Sequence, residues 1–418
     1  MESPKKEEEL LLFERAAQAI VDADVLLLVT GAGWSADSGL AVYNDLASVP
    51  AYNQRGLTYG DVCQPKWMEQ EPGLFYGFWG QCFTDYRTTK PHEGYGIMAR
   101  WRKDKNETSV SNLIRSRTKD KMTADRPSRP FEEVRSEETI RRHTPYDVVG
   151  EPAGAFFAFT SNADAHFYDH FPAQEIHDCH GSVELWQCSD SECDSGIWRA
   201  PTDFEFVVDK TTMLAPPTKE VAQKEEADEG PLSTKDDEIA ANVSCIGHVH
   251  GQGQRTNLLQ NMPSPTNPNG WYVEENGNWP KCGACHSLAR PAIFMFGDFC
   301  WKYDMAQSSR WDVWWEAVVD LSQDENIKVC VVEVGCGERI PTCRNTSEQM
   351  VLDVLEKGGE AKLVRINPED PSSSPNEVVA GHLMEIKSRG LRAIQHIDQL
   401  YSQKFFCSLV DGSSVAAR

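Results

Sequence analysis

The feature that most constrains this chain is a short run without a polar break, Val25-Leu-Leu-Leu-Val29, set between Asp24 and Thr30 and ending at Gly31. Alternation of apolar and polar residues marks a strand with one wet face. A run that is apolar at every position marks a strand covered on both faces. Three more largely apolar runs follow at 155–160, 328–334 and 361–366, and a shorter one at 292–296. Between them lie stretches of helical period. Residues 7–23 repeat Leu11, Leu12, Ala16, Ala19 and Ile20, and 310–321 set Trp311, Trp314, Trp315 and Val318 on one stripe. Buried strands alternating with helices predict an α/β fold, a Rossmann-like parallel sheet with helices on both faces.

Two stretches interrupt the alternation. Residues 100–142 hold 13 Lys/Arg and 8 Asp/Glu, a local charge of +5 that leaves −28 on the rest of a chain whose net charge is −23. Residues 200–280 contain an acidic, Pro- and Lys/Glu-rich piece (216–238) and an Asn/Gly/Pro-rich piece (252–280). Both read as insertions outside the core. The resulting organisation is a first part of the sheet domain at 8–100, a polar basic insertion at 101–150, and more of the core at 151–184. A smaller cysteine-bearing module at 185–290 and the remainder of the sheet domain at 291–410 complete it. The acidic balance argues against a surface for duplex nucleic acid, which needs clustered cations. No apolar run approaches the ~20 residues that span a bilayer. The charged start of the chain lacks a signal-peptide core, so we expect an intracellular protein with reduced thiols.

Three constellations bear chemistry. Thr30-Gly-Ala-Gly-Trp-Ser-Ala-Asp-Ser-Gly39 follows the first strand and opens toward a helix. Such glycines let backbone approach a pyrophosphate, but many tight strand–helix turns look the same. Cys188-x4-Cys193 and Cys282-x2-Cys285 supply four thiolates with spacing suited to a structural zinc, although Cys179, Cys245, His248, His250 and His286 lie near enough in sequence to compete. Thr160-Ser-Asn-Ala-Asp164 sits at the carboxyl end of a strand, where open α/β sheets place ligand-binding groups. A strand-end Asx turn is the plainer reading. His180-Gly181 follows within twenty residues, and an imidazole can act as general base at neutral pH.

Taken in order, these pieces resemble the sirtuins, the NAD-dependent protein deacylases. GAGWSADSGL resembles the family's opening Gly-Ala-Gly-x-Ser-x-x-Ser-Gly motif, and TSNAD its Thr-Gln-Asn-Ile-Asp motif with Ser161 in place of Gln. HGSVELWQC resembles the His-Gly segment leading to the first zinc cysteine, and Arg290-Pro-Ala-Ile-Phe-Met-Phe-Gly-Asp298 the stretch where substrate peptide pairs with backbone. Val334-Gly-Cys-Gly-Glu-Arg-Ile-Pro341 resembles the phosphate strand, and Arg365-Ile-Asn-Pro-Glu369 the segment that holds the adenosine ribose.

The resemblance implies NAD and Zn(2+) as cofactors and an acylated-lysine protein or peptide as substrate, with no nucleic acid or membrane partner. It implies catalytic roles for His180, Asn162 and Asp164, and zinc ligation by Cys188, Cys193, Cys282 and Cys285. Cofactor contacts are implied at Gly31, Ala32, Gly33, Ser35, Tyr43, Asn44, Ser161, Asn162, Asp164, Gly335, Gly337 and Asn367. In that chemistry His180 takes the proton of a ribose hydroxyl, and nicotinamide and acyl-ADP-ribose are released. The chain departs from the pattern after Gly39. Val42, Tyr43 and Asn44 replace the family's Asp, Phe and Arg, and Gly337 replaces a Ser. These losses keep two other outcomes in view: an ADP-ribosyltransferase or NAD hydrolase on the same fold, and a module that binds NAD or ADP-ribose without turnover.

Overall fold

The computed structural model describes residues 4–42, 49–124, 151–219, 270–369, 371 and 374–410. Tyr43 and Asn44 lie outside the described residues, as do 125–150 and 220–269 of the two expected insertions. The apolar runs form β1 (Val25–Thr30), β2 (Phe156–Thr160), β9 (Lys328–Val334) and β10 (Glu360–Ile366). With β3 (Ile176–Asp178) and β11 (Leu383–Ile386) they make a six-stranded sheet, ordered β11-β10-β9-β1-β2-β3, in which every neighbouring pair is parallel. This is the doubly wound order, and its direction of winding reverses between β1 and β9.

Helices cover both faces, as the largely apolar runs require. Leu26 and Leu28 of β1 join a core with α1 (Pro4–Asp22), α4 (Gly94–Asn106) and α8 (Gly390–Val410). Val25, Leu27 and Val29, one residue out of step, join another with α5 (Ser109–Ala124), α6 (Met305–Asp324) and α7 (Thr342–Glu356). The expected stripe on α6 is confirmed, with Trp311, Trp314 and Val318 buried. Between β1 and α4 come α2 (Ala32–Ala36) and α3 (Pro72–Thr88). No helix among the described residues is long and apolar enough to cross a membrane.

A second core forms around an antiparallel sheet of β5 (Ile197–Arg199), β4 (Gly181–Cys188) and β8 (Ala289–Ile293), with the pair β6 (Trp271–Tyr272) and β7 (Lys281–Cys282) beside it. Phe75, Tyr76, Phe78 and Phe83 of α3 pack there against Trp186, Trp198, Phe204 and Phe206.

Three expectations are corrected. Residues 101–124 are not an insertion outside the core: they complete α4 and form α5. Their polarity hid a helical stripe of Trp101, Lys105, Ser111, Ile114 and Thr118, all buried. Burial of Lys105 is tolerated because its ammonium donates to the carbonyls of Ile20 and Ala23, both at 2.5 Å, at the end of α1, where the helix dipole favours a cation. On the outer face Lys121 pairs with Asp320 at 2.8 Å. The start of the second stretch is also core, since Phe204, Phe206, Val208, Met213 and Ala215 are buried in the second cluster. Finally, the run at 292–296 is not a fifth strand of the parallel sheet. Its first part belongs to β8 of the antiparallel sheet, and Phe294 and Phe296 are exposed.

Candidate active site

The reversal between β1 and β9 opens a crevice at the carboxyl ends of both strands. Gly31 N–H donates to the Val334 carbonyl and Gly33 N–H to that of Gly335, each at 3.0 Å. Gly335 has φ of 67°, and a Cβ on Gly33 would lie 2.7 Å from the Gly335 Cα. The two loops therefore interlock backbone against backbone, which a side chain at any of the three positions would prevent. This spends the Gly31 and Gly33 amides inside the protein, where they hold the crevice floor together. Asn367 has a similar role, donating from Nδ2 to the Cys336 carbonyl at 3.0 Å. Gly337 is exposed on the same loop with open space around its α-carbon.

Over this floor lies a cavity of about 190 Å³. That is below the roughly 300–1,000 Å³ of sites for drug-sized ligands, so it suits one small moiety rather than a whole dinucleotide. Ala32, Ser35, Ser161, Asn162, Asp164, His180 and Thr342 line it, together with Tyr59, Cys63, Phe78, Trp79, Cys82, Tyr86, Met295 and Phe296. The structure thus brings together five polar residues singled out in the sequence. The aromatic wall from α3 was not foreseen; its only signal was the dense apolar run around Phe75–Phe83, which reads equally well as core.

Each polar group has a definite state. Asp164 accepts from the Ser35 hydroxyl at Oδ2 and from the His166 N–H at Oδ1, the latter at 2.9 Å, so the loop after β1 and the end of β2 are tied through this carboxylate. Asn162 N–H donates to Thr160 Oγ1 at 3.1 Å. Its side-chain nitrogen is buried at the cavity and has no hydrogen-bond partner among the described residues. A buried unpaired donor costs about 1–3 kcal/mol, which a ligand acceptor would recover. This orphaned amide, beside a carboxylate and at a switch point, fits the nicotinamide–ribose end of a dinucleotide.

His180 is aimed at the cavity by the chain reversal between β3 and β4. Gly181 has φ of 80°, and a Cβ there would stand 1.9 Å from the Ala292 carbonyl oxygen. Burial pushes the imidazole below its ordinary value, against smaller opposing effects of Cys343 and a backbone bond at Ser161. It is therefore neutral at pH 7 and able to accept a proton. Arg290 holds the far wall, donating to Asp298 Oδ1 at 3.0 Å and to the Ile293 carbonyl at 2.9 Å.

Two residues before His180, Asp178 was not singled out in the sequence. Burial, with Asp164 and Asp304 nearby, pushes its carboxyl up to about 7, against the Tyr168 hydroxyl that donates to it at 2.7 Å. A folded-state value raised above the ordinary 3.8 contributes stability that is complete below about pH 4 and lost as pH rises through 7. Burial pushes His177 down to about 3, and its contribution runs the opposite way below pH 6.5, so the Asp178 contribution is read as the difference in melting between wild type and Asp178→Asn from pH 5 to 8. Asp178→Asn should remove that contribution and stabilise the protein at pH 8 by up to about 4 kcal/mol, a three-unit shift at 1.36 kcal/mol each. Equal slopes in both proteins would refute this.

The four sulfurs of Cys188, Cys193, Cys282 and Cys285 all lie within 4.8 Å of one another, with Cys188–Cys285 at 3.4 Å and Cys193–Cys282 at 3.8 Å. Tetrahedral Zn–S bonds of about 2.3 Å imply S···S separations of about 3.8 Å, so the donor set fits zinc. Among the competing residues, His286 is exposed and packs on Tyr272, and Cys179 packs against the core that contains α5, α6 and α7 rather than the core of Cys188 and Cys282; Cys245, His248 and His250 lie outside the described residues.

The chain is a doubly wound α/β protein with a cleft at its switch point and a four-cysteine module. No protein-family model and no curated protein matches it. Among solved structures it is similar to a Sir2 homologue–NAD complex, at 13% identity over 95% of this chain and 94% of that one, with a TM-score of 0.45. It is also similar to a mutant Sir2 homologue in complex with 2′-O-acetyl ADP-ribose, at 13% identity over 93% and 95% with a TM-score of 0.44. Sir2Tm bound to a propionylated peptide matches at 14% identity over 93% and 96%, with a TM-score of 0.41.

Proposed function

We propose that this protein is an NAD-dependent protein-lysine deacylase of the sirtuin type. The observation that carries the reading is the meeting of Ser35, Ser161, Asn162, Asp164 and His180 on one cavity, although their motifs are spread over 145 positions of sequence. Ala32, Ser35, Asn162 and Asp164 would hold NAD, with the Asn162 amide nitrogen free to donate to a carbonyl or hydroxyl oxygen of its nicotinamide riboside half. Bound NAD supplies an electrophilic anomeric carbon and nicotinamide as leaving group. The neutral His180 takes a proton from a ribose hydroxyl, and the aromatic wall of Phe78, Trp79 and Tyr86 keeps water from the reacting centre. A structural zinc on the cysteine quartet would hold β4 and β7 together. β8 is an edge strand, and the chain after it lines the cavity, which suits an extended acyl-lysine peptide laid alongside. The acidic net charge favours a basic peptide as partner.

Incubation with NAD and an acetyl-lysine peptide is expected to release nicotinamide and acetyl-ADP-ribose in equal amounts. Nicotinamide released at the same rate without peptide would replace this reading with NAD hydrolysis or ADP-ribosyl transfer. NAD binding by calorimetry with no nicotinamide at all would leave a binding module.

A further inference from the structure

The chemistry proposed above uses the polar lining of the cavity and leaves the apolar lining only the exclusion of water. Cys63, Phe78, Trp79, Cys82 and Met295 make up most of that lining, and all five are buried. On α3, Phe78, Cys82 and Tyr86 follow at four-residue steps with Trp79 beside them, so one helical stripe faces the cavity. Away from that stripe α3 is seated directly on residues 204–215. A Cβ on Gly77 would stand 2.0 Å from the Met213 carbonyl oxygen, and one on Gly80 2.7 Å from the Phe206 ring. The chain after β8 is stitched across the same space: Phe294 N–H donates to the His180 carbonyl at 2.9 Å and Phe296 N–H to that of Cys63 at 3.1 Å. Met295, between them, is thereby fixed relative to His180. Two of the lining side chains, Cys63 and Cys82, are small, and lengthening either would take up cavity volume.

The charge of the lining narrows what can enter. Among the described residues none of it is Lys or Arg, and its one carboxyl side chain is Asp164. Burial keeps His180 neutral and pushes the Cys63 thiol up to about 12, so neither supplies a charge that attracts an anion. An anionic group carried into this space would lose its water and meet no cation, which makes its burial costly. A hydrocarbon chain would exchange water for contact with rings and thiols, a gain of about fourfold in affinity per buried methylene (about 0.8 kcal/mol).

We propose that the stripe of α3 and Met295 form an acyl subsite, selecting a lysine that carries a neutral aliphatic acyl group longer than acetyl and rejecting dicarboxylic acyl groups. The inference rests on the deacylase function proposed above and adds the class of acyl group to it. The acyl chain runs along Phe78, Trp79 and Cys82, away from the polar residues that face the cofactor. Cys82 and Trp79 then set the usable length, one by being small and the other by being large.

The test gives the full chain one fluorescent lysine peptide bearing an acetyl, butyryl, hexanoyl or succinyl group. Binding is read by anisotropy without NAD, and turnover separately by nicotinamide release with NAD. Butyryl is expected to bind at least roughly fivefold tighter than acetyl, from its two added methylenes. Succinyl, with butyryl's chain length and a carboxylate at its end, should bind at least roughly tenfold more weakly than butyryl. Cys82→Leu should lower the butyryl-to-acetyl ratio at least roughly fivefold by filling the subsite, and Trp79→Ala should raise the hexanoyl-to-butyryl ratio. Each ratio is taken within one preparation, so partial unfolding of a variant does not imitate it. Acetyl or succinyl bound as tightly as butyryl, or ratios that neither variant moves, would overturn the proposal. Binding in the expected order without turnover would support the subsite while the deacylase function fails. Turnover with acetyl preferred would do the reverse, and binding of no acyl peptide would overturn both.

Discussion

His180→Ala is expected to lower peptide-dependent nicotinamide and acyl-ADP-ribose formation by about 10²–10⁴-fold, the usual contribution of a positioned general base. NAD binding should change little, because the orphaned amide of Asn162 and the Ser35–Asp164 pair remain in place. The effect should fall on kcat. Burial holds the His180 imidazole below its ordinary value of 6.5. The wild-type rate is therefore expected to rise with pH through a midpoint under 6.5 and to be flat at neutrality, a limb that the variant lacks. Full activity in His180→Ala, or an acid limb that survives the substitution, would show that another group takes the proton. Asn162→Ala is the complement: it removes the unpaired donor, so its effect should appear in KM for NAD as well as in rate.

Loss of one quartet thiol is expected to act on folding. Wild-type protein should carry one zinc per chain, and Cys282→Ser should lose it, since Cys282 is fully buried and its sulfur lies 3.8 Å from that of Cys193. Structural zinc contributes about 10–16 kcal/mol of binding free energy near pH 7, far more than a small antiparallel sheet can replace. Chelation should therefore melt the module around Trp186, Trp198 and Trp271, seen as a change in tryptophan fluorescence. The parallel sheet, with its two independent cores, should keep most of the far-ultraviolet signal. Stoichiometric zinc in Cys282→Ser would exclude that thiol as a ligand.

The central strands were legible because burial on both faces leaves a local trace. β1, β2, β9 and β10 have no room for a polar side chain on most positions, so each reads as an apolar run. The quartet and the polar tract at 160–164 were legible for a related reason: short spacing of unusual residues survives as pattern. The edge strands β3 and β11, with three and four residues, are too short to show a period. Residues 101–124 misled because a buried Lys105 looks like surface until the carbonyls at the end of α1 are seen to receive it.

By itself, then, the sequence determined the layers of the fold and which residues were worth watching. Only the tertiary structure decided which of them meet. Strand order sets Thr30 beside Thr160 and brings Cys343 onto the same edge, across 130 and 313 positions of chain. It also spends the Gly31 and Gly33 amides on the facing loop and leaves the Asn162 amide unspent. Periodicity and propensity act over a few residues, whereas hydrogen-bond supply and demand at the switch point are settled by segments hundreds of residues apart.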